Sequence, residues 1–185
     1  MFLWKYAAAV TALILITIAA LVVLGRTPWG PTGEPGFWSG GVESPHNSQR
    51  FADPYTFTHI THGIGFYLIL WLIFKRRLPL GALLVMAILL ESGWEIFENT
   101  DFIINRYREA TIARGYYGDS VLNSVGDILV TIVGFAMAAR FPLRFTNAAF
   151  ILLELLLAFL IRDNLFLNIL MLIYPIPAIQ TWQSG

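Results

Sequence analysis

Three polar runs interrupt otherwise apolar stretches of the chain, and each is spaced like one face of a helix. Thr58-His59-Ile60-Thr61-His62-Gly63 places two imidazoles at i and i+3. Glu91, Glu95 and Glu98 follow at i, i+4 and i+7, with Ser92 and Asn99 beside them. Ser120, Asn123, Ser124 and Asp127 make a third stripe, which Thr131 and Gly134 extend. Carboxylates next to imidazoles suit general acid–base catalysis, proton relay, or coordination of a divalent cation. The catalytic candidates are therefore Glu91, Glu95 and Asp127, and the metal-ligating candidates are His59, His62 and Glu95. Arg108, Arg162 and Asn123 are the substrate-binding candidates, the arginines as clamps for a phosphate. His-x-x-His is a weak metal signal by itself, because it lacks the glutamate of a His-Glu-x-x-His zinc helix. Ser120 or Ser124 with a histidine base would resemble a hydrolase constellation, but no Gly-x-Ser-x-Gly turn accompanies them.

The elements that carry these stripes are set by composition. The chain is 57% hydrophobic and only 13% charged, whereas a water-facing domain carries about 25% charged residues. Its apolar residues fall in long blocks, which predicts an all-α polytopic membrane helix bundle and not a barrel of alternating strands. A formal net charge of +0 gives no basic excess for nucleic acid, and the absence of cysteine excludes disulfides, thiolate metal sites and cysteine nucleophiles. A single integral membrane domain over 1–185 is expected. Its spans are read at about 6–25, 57–74, 78–98, 121–139 and 147–161, with an outer loop over 26–55. Twenty residues at helical rise cover about 30 Å, one hydrocarbon thickness. The apolar stretch 165–174 is short and ends at Pro175, which fits an interfacial or half-helix. The first span could instead be a secretory leader, but no small-residue cleavage site follows it, so it reads as an uncleaved anchor.

Lys5, Lys75-Arg76-Arg77, Arg140 and Arg144 fall on one side if the spans alternate, which makes that side cytoplasmic and the C-terminus external. Arg106, Arg108 and Arg114 lie in the opposite loop and pull weakly the other way. Alternation also brings the polar stripes to one level in the outer half of the bilayer. A carboxylate at a helix centre costs about 2.5–3.5 kcal/mol on insertion scales, so Glu91, Glu95 and Asp127 must face inward and be neutralised. Shared protons, pairing with Arg162, Arg106 or Arg108, and a divalent cation are the three ways to do so. Packing between helices through Ser and Asn is the structural alternative. Glu154 reads as a lone acid in the inner half with no evident partner. The loop over 26–55, rich in Gly, Pro and aromatics, is expected to be non-helical, either an ordered connection on the membrane or a lid over a site.

The motifs His59-x-x-His62-Gly63, Glu91-Ser92-x-Trp94-Glu95-x-x-Glu98-Asn99-Thr100, Gly118-Asp119-Ser120-x-x-Asn123-Ser124-x-x-Asp127 and Arg162-Asp163-Asn164 resemble those of an uncharacterised family of small bacterial inner-membrane proteins, over nearly the whole chain. More distantly, the middle helices resemble the VanZ-like membrane proteins linked to glycopeptide resistance. The closer resemblance implies a multi-pass protein of the bacterial inner membrane with its outer face in the periplasm, and it assigns no catalytic residue. The leading expectation is an enzyme acting on a membrane lipid or lipid-linked substrate. A proton- or cation-coupled transporter or accessory channel is second, and a non-catalytic membrane assembly factor third.

Overall fold

A computed structural model describes residues 3–30, 33–75, 77–111 and 113–185. Its regular structure is α-helical. Five helices are long and apolar enough to cross a membrane: α1 (Leu3–Val23), α2 (Thr56–Phe74), α3 (Leu80–Glu98), α5 (Val121–Arg140) and α6 (Leu143–Leu160). Three shorter ones are found among the described residues, α4 (Asp101–Ala110), α7 (Leu165–Ile173) and α8 (Pro177–Gln183). α7 is the short segment expected before Pro175. α4 and α8 go beyond the sequence expectation. α4 forms because Asp101 opens it with an acid in the first turn, and because Ile103, Ile104, Tyr107 and Ala110 recur on one buried face. α6 begins four residues earlier than expected, at the residue after Pro142, since proline ends one segment and favours entry to the next.

α2 and α5 make the closest crossing. A side chain on Gly63 would meet the backbone of Thr131 and Phe135, and one on Gly134 would meet the Ile60 carbonyl. Small residues at the crossing let the two backbones approach this closely. Thr131 Oγ1 donates to the His59 carbonyl at 3.1 Å across this seam. Two apolar clusters fill the bundle towards the Lys75 end. One joins Leu70, Leu83, Ala87 and Phe135, and the other joins Val10 of α1 to Ile88 and Ile128.

Among the described residues, the segment between α1 and α2 contains no helix, as its composition requires, but it is well tied down. Phe51 N–H donates to the Gly36 carbonyl and Ser39 N–H to that of Ala52, both at 2.9 Å. The same segment satisfies the otherwise unpaired amides that open α5. Val121 N–H donates to the Thr27 carbonyl at 2.9 Å and Leu122 N–H to that of Pro28 at 3.0 Å. Ser120 caps the helix, its Oγ accepting from Asn123 N–H at 3.1 Å. The loop is thus a structural lock on the start of α5.

Candidate functional site

His59 and His62 sit in the first two turns of α2, and Glu91 and Glu95 sit in the last two turns of α3. Because the helices run in opposite directions, six residues in from Thr56 and seven in from Glu98 reach about the same depth. That places one fully buried carboxylate between two imidazoles. His59 Nδ1 and Glu91 Oε1 are hydrogen-bonded at 2.5 Å, and His62 Nδ1 and Glu91 Oε2 at 2.9 Å. The sequence grouped His59 and His62 with Glu95. The structure instead gives both rings to Glu91, and sets Glu95 and Asp127 around His59 alone. Glu95 Oε1 lies 3.7 Å from His59 Nδ1, and Asp127 Oδ2 lies 3.7 Å from His59 Nε2. Two groups have donor atoms close enough to hold a metal ion, His59–His62–Glu91 and His59–Glu95–Asp127.

Both Glu95 oxygens and Asp127 Oδ1 are buried without a hydrogen-bond partner. Such orphans are uncommon, because a desolvated carboxylate oxygen left unpaired is costly. The arginines do not relieve them, since each bonds a backbone carbonyl. Arg106 Nε donates to the Leu172 carbonyl at 2.7 Å, closing the end of α7. Arg108 Nε donates to the Tyr116 carbonyl at 2.5 Å, and Arg162 Nη1 to that of Trp182 at 3.1 Å. All the ion pairs of the cluster among the described residues are with histidine.

A cavity of about 1200 Å³ opens over this cluster. His59, His62, Glu95, Asn123 and Asp127 line it, whereas Glu91 is absent from its lining and holds the imidazoles from behind. Arg108 and Arg162 are absent from that lining too. Asn123 spends its Nδ2 on the Arg50 carbonyl at 2.9 Å. The wall continues to Ile69, Leu90, Phe97, Phe166 and Ile169, all of which are exposed on the outside of the bundle, from 45% for Ile169 to 61% for Phe166.

Glu154 is neither alone nor in the inner half. Starting α6 at Leu143 moves it outward, and its Oε1 accepts from Thr61 Oγ1 on α2 at 2.9 Å. Several acids around the rim escaped the sequence reading as parts of the site. Asp53 accepts from Ser48 N–H at 2.7 Å and Tyr55 N–H at 2.8 Å, and its burial raises its carboxyl above the ordinary range. Asp-Pro just ahead of an apolar run is a readable helix-entry signal. Asp119 and Asn99 bond reciprocally, Asp119 N–H to Asn99 Oδ1 at 2.7 Å and Asn99 Nδ2 to Asp119 Oδ2 at 2.8 Å. Burial raises Asp119 as well, against the hydrogen bonds from Tyr116 and Asn99. Asp163 accepts from Tyr55 Oη at 3.3 Å and Gln183 Nε2 at 3.2 Å, and burial pushes it up to about 6.

The chain is similar to proteins known from several bacteria. A family model described as a protein of unknown function (DUF2585) matches residues 21–185. The UPF0314 protein of Rhizobium etli strain CIAT 652 is 47% identical over 177 residues, covering 96% of this chain and 90% of the relative. The UPF0314 protein of Paracoccus denitrificans is 48% identical over 174 residues, 93% of this chain and 90% of its own. That of Sphingopyxis alaskensis is 48% identical over 183 residues, 98% and 95%. No solved structure matches the chain.

Proposed function

This chain belongs to the DUF2585 family, and on that premise we propose that it is a multi-pass enzyme of the bacterial inner membrane acting on a lipid or lipid-linked substrate at the periplasmic leaflet. What supports this is the continuity of one cavity, from buried acids to apolar side chains exposed on the outer surface of the bundle. A substrate with an apolar chain can enter sideways past Leu90, Phe166 and Ile169 and bring its polar head to Glu95, Asp127 and His59. In this assignment Asp127, Glu95 and His59 together supply the chemistry at the head, with His59 held in orientation by Glu91. Transport fits less well, because a path would have to cross the apolar packing of Leu70, Leu83, Ala87 and Phe135 beneath the cluster.

The test is comparative lipid mass spectrometry on a deletion strain carrying the wild-type gene, Glu95→Gln or Asp127→Asn. Deletion should alter one lipid or lipid-linked class, and the wild type should restore it. Each variant, expressed and inserted at wild-type level, should restore turnover at least about 100-fold less well, the scale of a lost catalytic group. Full restoration by both variants, or a lipid profile that deletion leaves unchanged, would overturn the proposal.

A further inference from the structure

We propose that His59, Glu95 and Asp127 form the protein half of a divalent transition-metal centre, with Glu91 orienting His59. The two donor groups differ in whether an ion fits. A tetrahedral ion with bonds near 2.0–2.1 Å separates its ligand atoms by roughly 3.3 Å. Glu91 stands 2.5 Å from His59 Nδ1 and 2.9 Å from His62 Nδ1, so direct hydrogen bonds already occupy that space. Asp127 Oδ2 stands 3.7 Å from His59 Nε2, about one coordination edge. Glu91 completes the logic. By accepting from Nδ1–H it leaves the Nε2 lone pair of His59 directed at Asp127, as carboxylates behind metal-binding histidines do.

The second line of observation is the orphaned oxygens. Glu95 is 1% exposed and neither of its oxygens has a hydrogen-bond partner, and Asp127 is 4% exposed with Oδ1 unpaired. Glu95 Oε1 faces the Nδ1 side of His59 at 3.7 Å, so ligation at Nε2 calls for a turn of its carboxylate. That terminal torsion is soft, and no hydrogen bond holds it. One imidazole and two carboxylates suit Mn²⁺ or Zn²⁺ better than Mg²⁺ or Ca²⁺. Because all three ligands line the cavity, the remaining coordination positions face it, the open arrangement of a catalytic and not a structural site. The centre does not require that the substrate be a lipid.

The experiment uses the full chain in lipid nanodiscs, stripped by chelator and reloaded with Mn²⁺ or with Zn²⁺. Elemental analysis after desalting should give about one equivalent for the wild type. Asp127→Asn and Glu95→Gln should lower affinity tenfold or more, Glu91→Gln by about 10–100-fold as an outer-shell change, and His62→Gln should retain the ion. Pulsed electron paramagnetic resonance on the Mn²⁺-loaded wild type needs no variant to fold, and it should resolve coupling to one imidazole nitrogen. No bound metal at saturating Mn²⁺ and Zn²⁺, coupling to two imidazoles, or loss of the ion in folded His62→Gln would each overturn the assignment.

Discussion

Asp163 illustrates how one buried carboxyl ties the chain's end to the site's rim. It lies 3% exposed among donors from four residues: Tyr55, Asn164, Asn168 and Gln183. Burial outweighs those donors and pushes its carboxyl from 3.8 up to about 6. Between about pH 4 and 6 the folded protein therefore holds this proton more tightly than the unfolded chain, so stability falls as pH rises through that window. A rise of that size corresponds to about 3 kcal/mol at most, and Asp53 and Asp119, also raised by burial, add in the same direction. Thermal unfolding followed by tryptophan fluorescence from pH 4 to 8 should show a melting temperature that declines across the window. Asp163→Asn cannot titrate and should flatten part of that decline. An unchanged slope in the variant would mean that Asp163 titrates normally. At the same scale, Glu91, a catalytic candidate by sequence, has both its oxygens hydrogen-bonded to His59 and His62.

Among the elements, the α2–α5 seam decides whether His59 can meet Asp127 at all. Gly63 and Gly134 have backbone of the opposite helix where a Cβ would sit, whereas Gly93 on α3 has nothing within 4 Å of that position. Gly63→Ala and Gly134→Ala should therefore force the helices apart and cost about 1–3 kcal/mol, the usual range for overpacking. Gly93→Ala should be neutral or stabilising by up to about 1 kcal/mol, since alanine is the better helix former. Melting temperatures of the three variants in one detergent would check this, and equal behaviour at all three positions would show that the crossing is not tight. Much of this level was legible beforehand. Long apolar blocks set the five spans to within a few residues, and the helical spacing of His59/His62, Glu91/Glu95 and Asn123/Asp127 put each stripe on one face. The pairing between stripes was not legible, because which glutamate reaches which histidine depends on the depth and closeness of the helices. The same holds for Glu154, whose level follows from Pro142 starting α6 early, and for the arginines, whose carbonyl partners come from loop and helix-end geometry.

At the scale of the whole molecule, the distribution of charge gives the bundle two unlike ends. Lys5, Lys75, Arg77, Arg140 and Arg144 cluster at the ends of α1, α2, α5 and α6, and the neighbouring stretches 1–5, 75–79 and 140–146 contain no acid. Tyr6 packs where a side chain on Gly81 would sit, which puts the starts of α1 and α3 at this same end. The other end carries the site, the loop between α1 and α2, and arginines that are already committed. Arg26 bonds the Tyr117 carbonyl at 2.6 Å and Arg50 that of Trp38 at 2.8 Å, as Arg106, Arg108 and Arg162 bond theirs. Basic residues within about 15–20 residues of the span ends, in connections of up to about 60 residues, set orientation. Lys75 to Arg77 form the densest basic run in the chain and have no acid beside them, whereas Asp101, Glu109 and Asp119 are interspersed with Arg106, Arg108 and Arg114. The Lys75 end is therefore expected in the cytoplasm, and α8 and Gly185 in the periplasm with the mouth of the cavity. Alkaline phosphatase fused after Gly185 should be active and a green fluorescent protein at the same position dark. Fusions truncated after Arg77 should report the reverse. A fluorescent C-terminal fusion would turn the bundle over and move the cavity, with any lipid it takes, to the cytoplasmic leaflet.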